Sequence, residues 1–364
     1  MYRSQLNLHR EELKERQKDQ VELMYEIHGD PDVCFQVAKN RSSSLWERSP
    51  EDDDFLKARI GKGTVPFHIR VRPPRADGYE KDPLIQAAED LASEFETVEE
   101  ASITLPLFES KVVGVVGGRE NVLNALRVIL AQTTVRHSPD EVKIAAFYEE
   151  KEAHEWDWLR WFPHSWDDDR SIRYLADRRS SAHQLADEIF MQLYRRKSNR
   201  SEYGRKSVEI PAYVVILSDS HLIEEEPLLP LLLEDGEAVD AVTIILSDRK
   251  ESLPMHCQLI VEVERAEGAY TIKKAGNIGQ QSYESDSISR EQMEALARYM
   301  APIRLKRSSA SDIPPVLTLF EMMEIEKIME LDVKRRWQQN RYPDTLPVPM
   351  GVRAGNKKNQ SEPA

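Results

Sequence analysis

The stretch Lys111–Gln132, KVVGVVGGRENVLNALRVILAQ, combines residue types and spacing that come close to a chemistry. A short β-branched run, Val112 to Val116, meets glycines at Gly114, Gly117 and Gly118. Val122, Leu123, Leu126, Ile129 and Leu130 follow at the spacing of an amphipathic helix. Strand, glycine turn and helix are the parts of a phosphate-binding loop, in which backbone N–H groups and a helix N-terminus hold phosphates. Counted from Gly114 against G-x-x-x-x-G-K-[ST], this chain places Arg119, Glu120 and Asn121 where the second glycine, the lysine and the hydroxyl belong.

Each departure removes a function. Without the second glycine the backbone loses a position that must approach phosphate closely, often at positive φ. The lysine brings positive charge to the outer phosphates, whereas Glu120 repels them. Opposite charges about 4 Å apart attract by roughly 4 kcal/mol at an effective dielectric near 20, so reversing one sign costs up to about twice that. The missing hydroxyl is a Mg²⁺ ligand; Asn121 offers only a carbonyl oxygen. A plain strand–turn–helix is therefore favoured over weak nucleotide binding, and both over ATP hydrolysis.

The other half of such a site lies at the end of a second buried strand. Ala212–Leu217 is an apolar run ending in Ser218-Asp219-Ser220. Asp219 keeps the type of the acid that holds Mg²⁺ through water, but Ser220 stands where a catalytic glutamate often follows. No residue is expected to be catalytic. Gly114, Gly117, Gly118, Arg119, Glu120, Asn121 and Asp219 form the candidate vestigial pocket, with ATP and Mg²⁺ held weakly if at all and no other cofactor.

Other clusters carry less chemistry. Four of the six tryptophans, Trp156, Trp158, Trp161 and Trp166, fall in HEWDWLRWFPHSWDDD. Such density marks either a docking surface, where aromatics concentrate interface energy, or a helix end wedged onto a sheet. His154 and His164 lack a plausible third ligand nearby, and consecutive acids such as Glu51 to Asp54 cannot all converge on one ion, so no metal site is expected.

The 364 residues carry a net charge of −14, which argues against a general nucleic-acid binder. Two cysteines, Cys34 and Cys257, give neither a disulfide framework nor zinc spacing and suit a reducing cytosol. No apolar run approaches the roughly 20 residues that cross a bilayer, and no signal peptide is read at the start. The expectation is a soluble segment, compatible with a place in a longer membrane-bound protein.

Several elements position these residues. Leu6 to Ile27 reads as one helix packed at its C-terminal end through Leu23, Met24 and Ile27, with a coiled-coil stalk as the alternative. A short helix through Val33, Cys34, Val37 and Ala38 follows, then two strands in Phe55–Val71 around Gly61-Lys62-Gly63. Pro83–Phe95 reads as a helix, Ile103–Leu107 as a strand, and Val142–Tyr148 as another. Arg195–Lys206, with six basic residues against one acid, reads as a solvated loop after a helix over Ala182–Leu193. Strands at Thr243–Ser247, Leu259–Val263 and Tyr270–Ile272 and a Ser-capped helix at Ser289–Ala301 complete the pattern. Strands alternating with helices argue an α/β fold with a mostly parallel sheet covered on both faces. From Ser308 the chain turns proline-rich around a short helical patch and ends in a polar tail.

Four stretches in one order resemble the membrane-anchored ATPases of type VII secretion, the EssC/EccC/YukB group of the FtsK/SpoIIIE class. They are LWERSPEDDDFL, VGVVGGRENVLNALRVILAQ with HSPDEV, WDWLRWFPHSW, and IPPVLTLFEMMEI…RWQQNRYPDTLPVPMGV. The resemblance implies a P-loop NTPase-like, FtsK/RecA-like fold and the family's first cytosolic module, whose ATPase fold is degenerate. It divides the chain into a helical stalk at 1–40, a lead-in at 41–110, a degenerate ATPase-like core at 111–307 and a connector toward the next ATPase domain at 308–364. It further implies the cytoplasmic part of a bacterial plasma-membrane protein, with downstream ATPase domains of the same chain and membrane components of the secretion complex as partners, and no nucleic acid. The parent's ATP-driven activity does not carry over to this segment, because Arg119, Glu120, Asn121 and Ser220 break the motif. The readings left open are a silent coupling or gating module, a weak Mg-ATP binder, and a recognition module for secreted helical substrates.

Overall fold

The computed structural model describes residues 2–73, 83–203, 208–264, 267–274, 277–305, 348–353 and 357–361. It divides into one unit over Met1–Ile303 and a second over Arg304–Ala364. In the second unit the described residues form a hairpin, β11 (Val348–Arg353) with β12 (Lys357–Ser361). The helical patch expected after Ser308 lies outside the described residues.

The first unit opens with α1 (Tyr2–Ile27) and α2 (Pro31–Asn40), then β1 (Lys57–Pro66), α3 (Pro83–Glu94), β2 (Thr97–Pro106) and the turn α4 (Leu107–Ser110). Next come β3 (Val112–Gly117), α5 (Arg119–Arg136), β4 (Val142–Phe147), α6 (Ala153–Trp156), β5 (Leu175–Ala176), α7 (Arg179–Tyr203) and β6 (Ala212–Leu217). It closes with α8 (Leu228–Glu234), α9 (Gly236–Val239), β7 (Ala241–Ser247), β8 (Leu259–Glu264), β9 (Glu267–Lys274), β10 (Asn277–Ser285) and α10 (Arg290–Met300).

The ten strands among this unit's described residues join one sheet in the order β2-β1-β10-β9-β8-β3-β7-β6-β4-β5. From β8 to β5 the five pairings are parallel; the four from β2 to β8 are antiparallel. The parallel strands are near-continuous apolar runs because both faces are covered. On one face Val113, Val115, Ile144 and Ile216 pack under α2, α5 and α10. On the other, Val112, Val116, Phe147, Tyr213 and Val215 pack under α7, α8 and α9. Alternation along each strand delivers successive side chains to opposite faces.

The mostly parallel sheet carries an antiparallel extension, β9, β10, β1 and β2, so strands of residues 41–110 share a sheet with strands of 111–303. The structure corrects three expectations. Gly61-Lys62-Gly63 is not a turn: β1 runs straight through it, bulged on either side, and a Cβ at Gly61 would fall on the Glu284 carbonyl. Helix α1 does not pack through Leu23 and Ile27, which are largely exposed; Leu6, Leu13 and Val21 meet Phe67, Leu91, Phe95 and Val98 instead. Gln20, which interrupts the seven-residue spacing of Leu6, Leu13 and Ile27, donates to the Pro66 carbonyl at 3.1 Å and accepts from the His68 N–H at 3.0 Å.

The third correction is to Arg195–Tyr203; residues 204–206 of that basic stretch lie outside the described residues. Helix α7 continues through Tyr203, and its buried Arg196 donates to the carbonyls of Glu209 (3.2 Å) and Val239 (3.3 Å) and lies 5.4 Å from the Tyr213 ring centre.

Candidate functional site

Leaving aside the two-residue edge strand β5 and reading the parallel strands β3, β4, β6, β7 and β8 as one to five, their spatial order is five-one-four-three-two. Strand β3 is thus where the chain direction of the layout reverses, and in open α/β sheets the crevice beyond such a strand's carboxyl end takes ligands. The glycine turn between β3 and α5 sits at that place.

The backbone of this turn departs from that of a phosphate-binding loop. Gly114 lies inside β3, paired with Ile245 of β7 and Ile260 of β8, and a Cβ there would run into the Leu253 side chain. The strand continues to Gly117, whose φ of +150° and closeness to the Val263 carbonyl leave no space for a side chain. Gly118 is the N-cap and Arg119 already begins the helix. The loop that the motif needs between its two glycines is replaced by strand.

Arg119 then closes what remains. Its Nε donates to Glu152 Oε1 at 2.9 Å, a second nitrogen pairs with Glu152 Oε2, and that nitrogen also donates to Ser218 Oγ at 2.5 Å. Glu152 follows β4 and Ser218 follows β6, so one guanidinium spans the carboxyl ends of three strands. A bidentate arginine–carboxylate pair is among the stronger polar contacts. Asp219 Oδ1 accepts the His221 N–H at 3.1 Å and caps the turn at Ser220–Leu222.

Beside the start of α5 lies an open cavity of about 740 Å³. Its charged rim is Arg119, Arg127 and Arg290 against Glu120, Glu152, Glu155 and Glu291. Each arginine is already engaged. Arg127 donates to the Ile288 carbonyl at 3.0 Å and faces Glu155 at 3.5 Å, while Arg290 donates to the His154 carbonyl at 2.7 Å. The rim thus holds four carboxylates against three engaged guanidinium groups. Glu120 and Asn121 line this cavity, so the structure does bring Arg119, Glu120 and Asn121 together, with Asp219 in the adjoining turn after β6.

The tryptophans separate into two pairs. Trp156 and Trp158 are 1% and 2% exposed, and Trp156 stacks on Tyr148 at 5.0 Å, so neither is free to dock. Trp161 and Trp166 are half-buried, with Arg298 over the first at 4.5 Å and Arg173 over the second at 4.3 Å. His164 is fully buried and its Nε2 donates to the His137 carbonyl at 2.8 Å, a structural role. Glu152 and Ser218 were not among the sequence candidates; no local signal marks partners 33 and 99 residues from Arg119.

No protein-family model matches the chain. It is 27% identical over 361 residues, 98% of its length, to the ESX secretion system protein EccC of Geobacillus thermodenitrificans. It is 24% identical over 321 residues, 87% of its length, to the type VII secretion system protein EssC of Staphylococcus aureus. The chain is similar to EccC/EssC secretion proteins. It spans about a quarter of their length, 24% and 22% respectively. Among solved structures, ATPases 2 and 3 of Thermomonospora curvata EccC, in complex with a signal sequence peptide, give a TM-score of 0.47 at 12% identity, over 88% of this chain and 58% of that one. ATPases 2 and 3 of Geobacillus thermodenitrificans EssC give 0.47 at 11%, over 88% and 61%. No helix among the described residues is long and apolar enough to cross a membrane.

Proposed function

We propose that this chain is a non-hydrolysing, ATPase-fold segment of a type VII secretion motor protein. It couples the membrane-embedded part of the secretion complex to ATPase domains further along the same protein, on the cytoplasmic side of the bacterial plasma membrane. The observation that carries the reading is the direct passage of β3 into α5, with Arg119 tied to Glu152 and Ser218 over the strand ends. A segment that keeps the sheet and loses the cradle is suited to transmitting position rather than to turnover. Its supports are the curated relatives and the reversed charge at Glu120.

Coupling needs rigid attachment and exposed contacts. Helix α1 supplies the first: Leu6, Leu13 and Val21 seat it against Phe67, Leu91, Phe95 and Val98, so it moves with the sheet. Trp161 and Trp166 supply the second, as half-buried aromatics of the kind that anchor interfaces. The second reading, weak Mg-ATP binding, has the cavity beside α5 in its favour and the glutamates of its rim against it. Capture of secreted helical substrates is the third, separated from the first by pull-down against membrane components and against substrates.

The test is complementation in cells lacking the parent protein. Asp219→Ala is expected to leave secretion intact, because its carboxylate serves a turn. Trp161→Ala with Trp166→Ala is expected to reduce secretion while the thermal melt stays cooperative, since one interface anchor contributes about 2 kcal/mol or more. Secretion lost in Asp219→Ala and unaffected in the tryptophan variant would reverse the ranking.

A further inference from the structure

On the face away from α5, His183 and Asp187 stand one turn apart on α7, and Glu226 approaches from the turn leading into α8. His183 Nδ1 lies 2.9 and 3.1 Å from the two Glu226 oxygens, and its Nε2 lies 3.5 Å from Asp187 Oδ2. One ligand atom from each of the three falls within 4.8 Å of the others. Glu226 is fixed from the backbone: its N–H donates to the Ile223 carbonyl at 3.1 Å and its carbonyl accepts the Leu229 N–H at 3.2 Å. Its side chain is only 16% exposed.

The charge around this cluster is unbalanced. Two other carboxylates near this end of the sheet have their own cations, Glu150 on Arg178 and Glu152 on Arg119. Among the described residues, Asp187 and Glu226 have ion pairs only with the His183 imidazole. With a neutral ring the cluster carries two negative charges, and with an imidazolium it still carries one. A divalent cation in place of that proton brings it to zero.

We propose that His183, Asp187 and Glu226 bind a divalent first-row transition-metal ion, zinc foremost. One imidazole nitrogen and two carboxylate oxygens form a mixed donor set that suits zinc, whereas magnesium and calcium take oxygen alone. Ligand atoms about 2.0–2.1 Å from a tetrahedral ion are roughly 3.3 Å apart, so the cluster must close by about 1.5 Å. Because Glu226 faces Nδ1 and Asp187 faces Nε2, the His183 ring must also turn to present one nitrogen to an ion held by both carboxylates. His183 and Asp187 are exposed and have the torsional freedom to do so. The fourth position would belong to water. The ion would staple α7 to the loop that begins at Ser218 and Asp219, fixing the turn beside the disused pocket without entering any reaction.

The test titrates zinc chloride into the chelator-stripped chain in competition with a chromophoric chelator, alongside thermal melts. Four proteins are compared: wild type, His183→Ala, Glu226→Gln, and His256→Ala as a control at another exposed histidine. Expected are one zinc per wild-type chain and a higher melting midpoint with zinc. Zinc affinity should weaken at least about tenfold in the first two variants, with a smaller midpoint shift, and both effects should persist in the third. Metal-free melts establish that the variants fold. Zinc bound equally by wild type and His183→Ala, bound by neither, or displaced from wild type by millimolar magnesium would overturn the assignment.

Discussion

Arg119 and Glu152 are joined at two points across the carboxyl ends of the parallel strands, with Nε to Oε1 at 2.9 Å. The same guanidinium reaches Ser218 Oγ at 2.5 Å, beyond the intervening β7. In a nucleotide-binding protein of this layout, positive charge at that place would serve phosphates. Here it is consumed by the protein itself, and the glycine-to-arginine change in the motif becomes a structural tie between three strands.

Removing the tie is predicted to affect stability and nothing catalytic. Glu152→Gln leaves Arg119 with a neutral acceptor in a partly buried site, where a charge-assisted hydrogen bond contributes about 1–2 kcal/mol after solvent screening. Urea unfolding should show a loss of that size at an unchanged m-value. ATP turnover in this variant stays at background; any gain would mean that Arg119 blocks an otherwise competent pocket.

A larger loss is expected at Asp286. Arg59 Nε and a terminal nitrogen meet its two oxygens at 2.8 and 3.2 Å, and the other nitrogen donates to Ser102 Oγ at 2.8 Å and to the His28 carbonyl at 3.2 Å. Both side chains are mostly buried, 5% and 13% exposed. Breaking one side of a buried pair leaves the other charge unanswered, at about 3–5 kcal/mol. Asp286→Asn should lower stability by about 3 kcal/mol in denaturant unfolding, and a change below about 1 kcal/mol would show that the pair is solvated.

Acid sensitivity should come from buried histidines. Burial pushes His28 and His137 down to about 3 and His164 to about 4, from an ordinary value of 6.5. In each case the unfolded chain takes up a proton that the folded chain refuses. Stability is therefore fully present above about 6.5 and declines as pH falls toward 4 and 3. His137 shows why the folded form resists: Nδ1 donates to the Thr133 carbonyl at 3.0 Å while Nε2 accepts the Leu56 N–H at 3.0 Å, and only a neutral ring does both. The melting midpoint should fall steadily from about pH 7 to about pH 4.5. A flat profile over that interval would contradict the assignment.

How much of this was legible depended on where each residue finds its partner. Val112–Val116, Ala212–Leu217 and Thr243–Ser247 announce buried parallel strands by unbroken apolar runs. Strand β10, NIGQQSYES, carries no such run, because polar residues fill most of its positions. Gly61 and Gly63 look like punctuation yet mark close approach to a neighbouring strand, which only the pairing with β10 reveals. Leu6 and Leu13 give the correct face of α1, but the residues they meet lie beyond residue 66. The motif departures at Arg119, Glu120 and Asn121 were plain; the capture of Arg119 by Glu152 and Ser218 was not, since nothing local encodes a contact across β7.

The most direct measurement is titration of the purified chain with a fluorescent ATP analogue, with and without Mg²⁺, alongside a turnover assay. Wild type and Glu120→Lys are predicted to give no saturable signal and no turnover above background. Restoring the lysine does not restore a loop in which strand runs to Gly117 and helix begins at Arg119. Saturable, Mg²⁺-dependent binding by the wild type that disappears in Asp219→Ala would contradict the account.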